Sequence, residues 1–173
     1  MIYVAIEKCE CDRNSQHKAG IAARERLFSF FGITGEIKTA DGGKPYVDGN
    51  NAYYSISHSG NIAVCALRVS TENYGLADDI ITVFENGEGE VGIDIELLPD
   101  SPDMAKYNRI ANRFFGLEFS SAESFLCHWT KTEATAKAKG SPLATEFRST
   151  KEKEYFTGRL QLEDESYIFT IAY

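Results

Sequence analysis

The segment Glu90-Val-Gly-Ile-Asp-Ile-Glu96 constrains this chain more than any other. Side chains alternate along a strand, so Val91, Ile93 and Ile95 point one way while Asp94 and Glu96 point the other. Such a strand needs an apolar core against one face and, on the other, water, a cation or polar partners for two carboxylates. The acids stand roughly 6 to 7 Å apart along the backbone, which suits one hard cation such as Mg²⁺. An ordinary solvent-facing strand edge carries the same alternation, so the rest of the chain has to decide between the two.

Around this strand the pattern reads as further strands and helices. Ile2 to Ile6 begins a strand, and a charged loop through Cys11 and Arg13 leads to a helix capped by Asn14 or Ser15. Ile21, Leu27, Phe28, Phe30 and Phe31 give that helix an apolar face until Gly32 ends it. Asp41-Gly-Gly-Lys-Pro45 is a turn by composition, Ala52 to Ser57 alternates like a strand that His58-Ser-Gly60 breaks, and Asn61 to Val69 is the next strand. Residues 70–90 read as a protruding hairpin or loop around Ile80-Ile-Thr-Val-Phe84. Past Glu96, Ser101-Pro102 starts a helix that closes at Gly116, and Ser120 with Glu123 forms a capping box for a second, which runs to Gly140. Glu154 to Leu162 and Ser166 to Ala172 form a closing antiparallel hairpin. The order β-α-β-β followed by β-α-α-β-β predicts an α+β protein of two similar halves, 1–90, with an insertion at about 70–90, and 91–173.

Composition limits the function classes. A chain of 173 residues, 43% hydrophobic and 25% charged, supports one folded domain or two small packed lobes. Its 18 basic against 26 acidic residues leave a net charge of -8, the wrong sign for a protein whose main partner is nucleic acid. No run approaches the roughly 18 apolar residues of a membrane span. The start, Met1-Ile-Tyr-Val-Ala-Ile-Glu-Lys, is too short for a signal peptide, so a cytoplasmic protein with no membrane partner is expected. Cys9, Cys11, Cys65 and Cys127 form no CxxC pair and no zinc spacing with His17, His58 and His128, which reads as reduced thiols. Between Arg68 and Lys106 there is no basic residue, while Glu72, Asp78, Asp79, Glu85, Glu88, Glu90, Asp94, Glu96, Asp100 and Asp103 fall there.

A second set of candidates lies on the last predicted helix. Glu133 and Lys137 are an i, i+4 pair, and Trp129 stands one turn earlier. Such a pair is commonly a surface salt bridge worth a few tenths of a kcal/mol. Beside Asp94 and Glu96 it would instead add a third carboxylate and a cation for a phosphate oxygen. Ser57-His58-Ser59-Gly60 reads as a polar turn whose hydroxyls, imidazole and freed N–H groups suit a phosphate monoester, although a plain turn has the same composition. Ser59 lacks the Gly-x-Ser-x-Gly setting of a serine hydrolase, and Gly42-Gly-Lys-Pro-Tyr46 is neither a Walker A loop nor a dinucleotide fingerprint.

Taken in order, Gly43-Lys-Pro45, Ser55-Ile-Ser-His-Ser-Gly60, Val91-Gly-Ile-Asp-Ile-Glu96 and Trp129-x-x-x-Glu133-Ala134-x-x-Lys137 resemble the motif series of the 4′-phosphopantetheinyl transferases of the surfactin-synthetase-activating type. The resemblance implies a monomer of two pseudo-symmetric α+β halves, with coenzyme A and Mg²⁺ in the cleft between them. It implies transfer of the phosphopantetheine arm from coenzyme A to a serine of an apo acyl or peptidyl carrier protein, releasing 3′,5′-ADP. Carried over by position, Asp94, Glu96 and Glu133 would hold Mg²⁺, and Glu133 would also act as base toward the carrier serine. Lys137 would stabilise the transferring phosphate or the leaving group. Ser57 and His58 would hold the 3′-phosphate of coenzyme A, helped by Lys44 beside Pro45 and by Lys18 on the first helix.

Thr132-Glu133 stands where the family commonly has Lys-Glu, and the stretch from Gly60 to Gly92 is longer than the family's hairpin. Other classes stay open at this point: a degenerate module that binds coenzyme A or carrier protein without turnover, or another metal-dependent phosphoester enzyme using the same carboxylates. For an acidic chain that must meet an acidic carrier, Arg148, Lys151 and Lys153 are the expected docking cluster.

Overall fold

The computed structural model describes residues 1–40, 43–49, 52–69, 80–83, 89–147 and 153–173. The acidic-run residues Glu72, Asp78, Asp79, Glu85 and Glu88, the turn residues Asp41 and Gly42, and Arg148 and Lys151 lie outside them.

The fold is mixed α+β, with two antiparallel sheets and four helices among the described residues. The N-terminal half comprises β1 (Ile2–Lys8), α1 (Arg13–Phe30), β2 (Ile37–Thr39), β3 (Pro45–Val47), β4 (Tyr53–Ser59), β5 (Ile62–Arg68) and β6 (Ile80–Val83), in a sheet ordered β2-β3-β4-β5-β1-β6. The C-terminal half comprises β7 (Gly92–Leu98), α2 (Met104–Phe115), α3 (Ala122–Lys139), α4 (Leu143–Glu146), β8 (Tyr155–Leu162) and β9 (Glu165–Ala172), in a sheet ordered β7-β9-β8. The change of sheet falls between Val83 and Gly92. Each half repeats one arrangement: a first strand, a helix, and a hairpin whose second strand pairs with the first, giving β1-β5-β4 and β7-β9-β8.

Packing stacks these elements in layers. One face of the larger sheet presents Tyr3, Ala5, Cys65 and Leu67 to Ala23, Leu27 and Phe31 at α1. The opposite face presents Ile2, Val4, Ile62 and Val64 to Val91, Ile93, Ile95 and Ile171 of the smaller sheet. The smaller sheet's far face carries Ile168 against Phe125 and Leu126 of α3, and Ala172 against Ala134 and Ala138. Burying β7 on both sides requires Gly92: a Cβ there would lie 2.0 Å from the Ala134 carbonyl oxygen and 2.5 Å from the Ala138 nitrogen. Only glycine lets the α3 backbone rest directly on the strand.

Several boundaries differ from the sequence reading. The α1 cap is Asp12, whose side chain accepts from the Asn14 and Ser15 N–H groups, so the residues expected to cap are themselves inside the helix. The α2 cap is Asp103 rather than Ser101, and the α3 cap is Ser121 rather than Ser120. Gly116 and Gly140 do end their helices in the left-handed conformation, at φ 67° and 63°. Ile80–Val83 is not the tip of a protrusion: it pairs antiparallel with β1 as a sheet edge, and most of 70–90 lies outside the described residues. Ser57-His58-Ser59 is not a turn either, because β4 continues through Ser59 in unbroken register with β5.

Candidate functional site

β7 holds its two acids as the alternation predicts. Gly92, Asp94 and Glu96 face α3, while Val91, Ile93 and Ile95 face the other sheet. Asp94 is 2% exposed. Its Oδ1 accepts from Lys137 Nζ at 2.6 Å and from Ser57 Oγ at 2.8 Å, and Lys137 Nζ also donates to Ser57 Oγ at 2.9 Å. The sequence-predicted Asp94, Ser57 and Lys137, from three different elements, therefore meet at one point. With every carboxylate ionised, Asp94 Oδ2 is buried and has no hydrogen-bond partner among the described residues.

Glu133 lies against this cluster. Burial first, and then the charge of Asp94, push its carboxyl up to about 7, while the Lys137 ammonium pulls the other way. It stands close enough to Asp94 for a proton to be shared between the two carboxyl groups. Glu96 is raised by burial and by Asp94, with the Ser59 hydrogen bond opposing. Three acids held within one another's fields, one with an orphaned buried oxygen, call for a cation. Lys137 fills that role against Asp94.

Among the described residues no three His, Cys, Asp or Glu side chains stand close enough to ligate one ion as they are arranged. The donor set nevertheless fits Mg²⁺: hard carboxylate oxygens, an unpartnered Asp94 Oδ2, and a lysine that would have to yield its place on Asp94.

Beside these groups is a cavity of about 430 Å³ whose lining includes Lys44, Pro45, Tyr54, Glu133, Lys137 and Ser141. It spans both halves, since Lys44 and Tyr54 belong to the first and Glu133 and Lys137 to the second. Lys44 is 8% exposed, donates to the Ala138 carbonyl near the C-terminal end of α3, and lies 3.8 Å from Glu90. Burial lowers its pKa to about 8, with Lys153 acting in the same direction and Glu90 against it. A second cavity, of about 450 Å³ between the two sheets, is lined by Val4, Ile93, Phe156 and similar residues, with no titratable group among the described residues that line it.

The expected coenzyme A contacts divide. Lys44 and Pro45 line the mixed cavity with Glu133 and Lys137. Ser57 is buried and engaged by Asp94 and Lys137, so its hydroxyl is already committed to the carboxylate cluster. His58 is exposed, as strand alternation on β4 requires of the residue after Ser57, and Lys18 is exposed on α1. Trp129 packs among Phe114, Phe115, Phe125 and Phe147, away from the carboxylates. Thr132 donates back to the His128 carbonyl within α3, and Lys131 lies over the Tyr155 ring.

Sequence reasoning missed the seam that joins the halves. Ser55 Oγ accepts from the Ile93 N–H, and Ser59 Oγ accepts from the Leu97 N–H, satisfying donors on the otherwise open edge of β7. The period-two spacing of Ser55, Ser57 and Ser59 was the available signal. No helix among the described residues is long and apolar enough to cross a membrane, and Cys9, Cys11, Cys65 and Cys127 are free thiols. No known family model matches the chain, and no curated protein matches it.

Proposed function

We propose that this protein is a Mg²⁺-dependent 4′-phosphopantetheinyl transferase that modifies a serine of an apo acyl or peptidyl carrier protein, with two pseudo-symmetric halves contributing to one active site. The observation that carries the reading is the meeting of Asp94, Glu133 and Lys137 beside a cavity that the Lys44-Pro45 turn closes from the other half. The repeated strand order of the two halves supports it. So does a glutamate poised near neutrality, since a general base works best with a pKa near the operating pH.

In this reading coenzyme A occupies the mixed cavity, and Asp94, Glu96 and Glu133 are the residues that would hold Mg²⁺. The ion, when bound, supplies charge neutralisation to the pyrophosphate oxygens. Glu133 accepts the proton of the carrier serine as that oxygen bonds to the phosphorus bearing the pantetheine arm. The bridging phosphorus–oxygen bond to the nucleotide breaks, and 3′,5′-ADP leaves. Lys137, released from Asp94, neutralises developing charge on a phosphate oxygen. Lys44, partly desolvated, offers an ammonium to the nucleotide's phosphates.

The test is intact-protein mass spectrometry of apo carrier proteins incubated with this protein, coenzyme A and Mg²⁺, with and without chelator. A chelator-sensitive gain of one phosphopantetheine arm is the expected result. If no carrier gains mass and calorimetry finds no coenzyme A binding, the reading is wrong; if binding persists without transfer, the binding-only alternative takes its place.

A further inference from the structure

We propose that Ser59 is a positioning residue for the metal centre, fixing Glu96 as a ligand from the opposite half of the molecule. The inference rests on the transferase reading above for the identity of the ion, and on the geometry of the seam for the role of the serine.

Ser59 Oγ makes two bonds at once. It accepts from the Leu97 N–H at 3.0 Å and donates its own hydrogen to Glu96 Oε2 at 3.0 Å. The acceptor bond anchors the hydroxyl to the β7 backbone, and the donor bond therefore aims at one oxygen of the neighbouring carboxylate. That leaves Glu96 Oε1 to turn toward Asp94 and Glu133. Ser57 does the corresponding work one step back along β4, donating to Asp94 Oδ1 at 2.8 Å. Adjacent same-face residues of β4 thus each hold one of the adjacent same-face acids of β7.

A glutamate at the edge of a sheet has free rotors and would otherwise sample many orientations. A hydroxyl that holds one carboxylate oxygen leaves the other free to ligate and restricts its direction. Outer partners of this kind typically govern metal affinity by about ten- to a hundred-fold. Because Ser59 belongs to the half that lines the coenzyme A cavity through Tyr54, Ser55 and Ile56 on the same strand, it also ties the geometry of the ion site to that strand's position.

The experiment measures Mn²⁺ binding, as the probe for Mg²⁺, by titration calorimetry of the full chain without coenzyme A. Wild type, Ser59→Ala, Ser59→Thr and Ser55→Ala are compared, and each is melted by circular dichroism. Ser59→Ala should weaken Mn²⁺ binding by about ten-fold or more, and Ser59→Thr, which keeps the hydroxyl, should restore it. Ser55→Ala is the control for a purely structural role, because it removes the same kind of bond to β7, from Ile93 N–H, while Ser55 touches no carboxylate. It should melt lower, as Ser59→Ala does, yet keep wild-type Mn²⁺ affinity.

Unchanged affinity in Ser59→Ala, or equal loss in Ser55→Ala, would overturn the positioning role and leave the transferase reading standing. Absence of Mn²⁺ binding by the wild type would likewise overturn the positioning role, while the transferase reading is judged separately by carrier mass gain with coenzyme A present, whose phosphates supply further ligands. Should Ser59→Ala not fold, Ser59→Cys keeps the size and a weak donor, and must show a loss in the same direction.

Discussion

The two halves put the same strand order and a helix of 18 residues to different uses. In the first, β1 turns Tyr3, Ala5 and Glu7 toward α1; the first two pack on Ala23 and Leu27, and Glu7 pairs with Arg26 at the half-exposed margin. In the second, β7 turns Gly92, Asp94 and Glu96 toward α3, which answers with Glu133 and Lys137. The α1 contact is largely apolar, with the Glu7–Arg26 pair at its margin and the Arg24 guanidinium lying over the Tyr54 ring. The α3 contact buries carboxylates whose charges are not fully matched, and such a state persists only because hydroxyls, a lysine or a bound cation hold it. Gly92 and Gly20 mark the same contrast: α3 meets β7 backbone to backbone, whereas a Cβ on Gly20 of α1 would meet side chains, Ile56 at 2.7 Å and Ala63 at 4.0 Å.

Substitutions in the two halves test this contrast. The largest expected effect is on turnover: Glu133→Gln or Asp94→Asn should lower carrier modification by about 10³-fold, near 4 kcal/mol, with coenzyme A binding largely kept. Glu7→Gln, on the α1-facing side of β1, should leave it within about two-fold because its half-exposed pair with Arg26 lies in the other half and holds no group of the site. Mass spectrometry under matched conditions reads both, and comparable losses from the two halves would erase the distinction.

Next in size is Gly92→Ala, which forces a methyl into backbone and should cost about 3 kcal/mol or more in denaturant unfolding. A wild-type midpoint in that variant would mean that the α3 backbone does not rest on β7 at Gly92.

Smaller is the pH response of the metal-free protein. Glu133 has a folded pKa of about 7, above its ordinary value of 4.5, so the folded state binds the proton more tightly. Its contribution to stability is complete below pH 4.5 and is lost as pH rises to about 7. Glu133→Gln should therefore match the wild type in melting temperature near pH 4 and exceed it near pH 8, and Mg²⁺ should narrow the gap by favouring the ionised carboxylate. Identical pH profiles would show that Glu133 is not the strained group. The smallest effect is expected of Gly20→Ala, a loss of about 1 kcal/mol, since the stiff branch methyl of Ile56 has to give way while gained helix propensity offsets part of the cost.

Local periodicity made much of this legible. The two faces of β7, the Glu133–Lys137 spacing and the glycines that close α2 and α3 are properties of a few neighbouring residues, and the structure has them as read. What escaped depends on partners far away in sequence. Ser57-His58-Ser59 carries turn composition, but pairing with the apolar β5 holds it extended, and the serines then find donors on β7. β2, β3 and α4 are too short to show a period. Trp129 was grouped with Glu133 and Lys137, yet each step of four residues rotates about 40° around a helix, so over eight the indole turns away into the aromatic cluster.

The hydroxyl seam also bears on solubility. A fragment beginning at β7 would present both the apolar Ile93–Ile95 face and a strand edge with donors that Ser55 and Ser59 now satisfy. An open, partly apolar edge of this kind recruits strands from other copies. Expressed alone, the second half should therefore self-associate. In the whole chain the first half covers that face and satisfies those donors, so its removal is what should expose the edge.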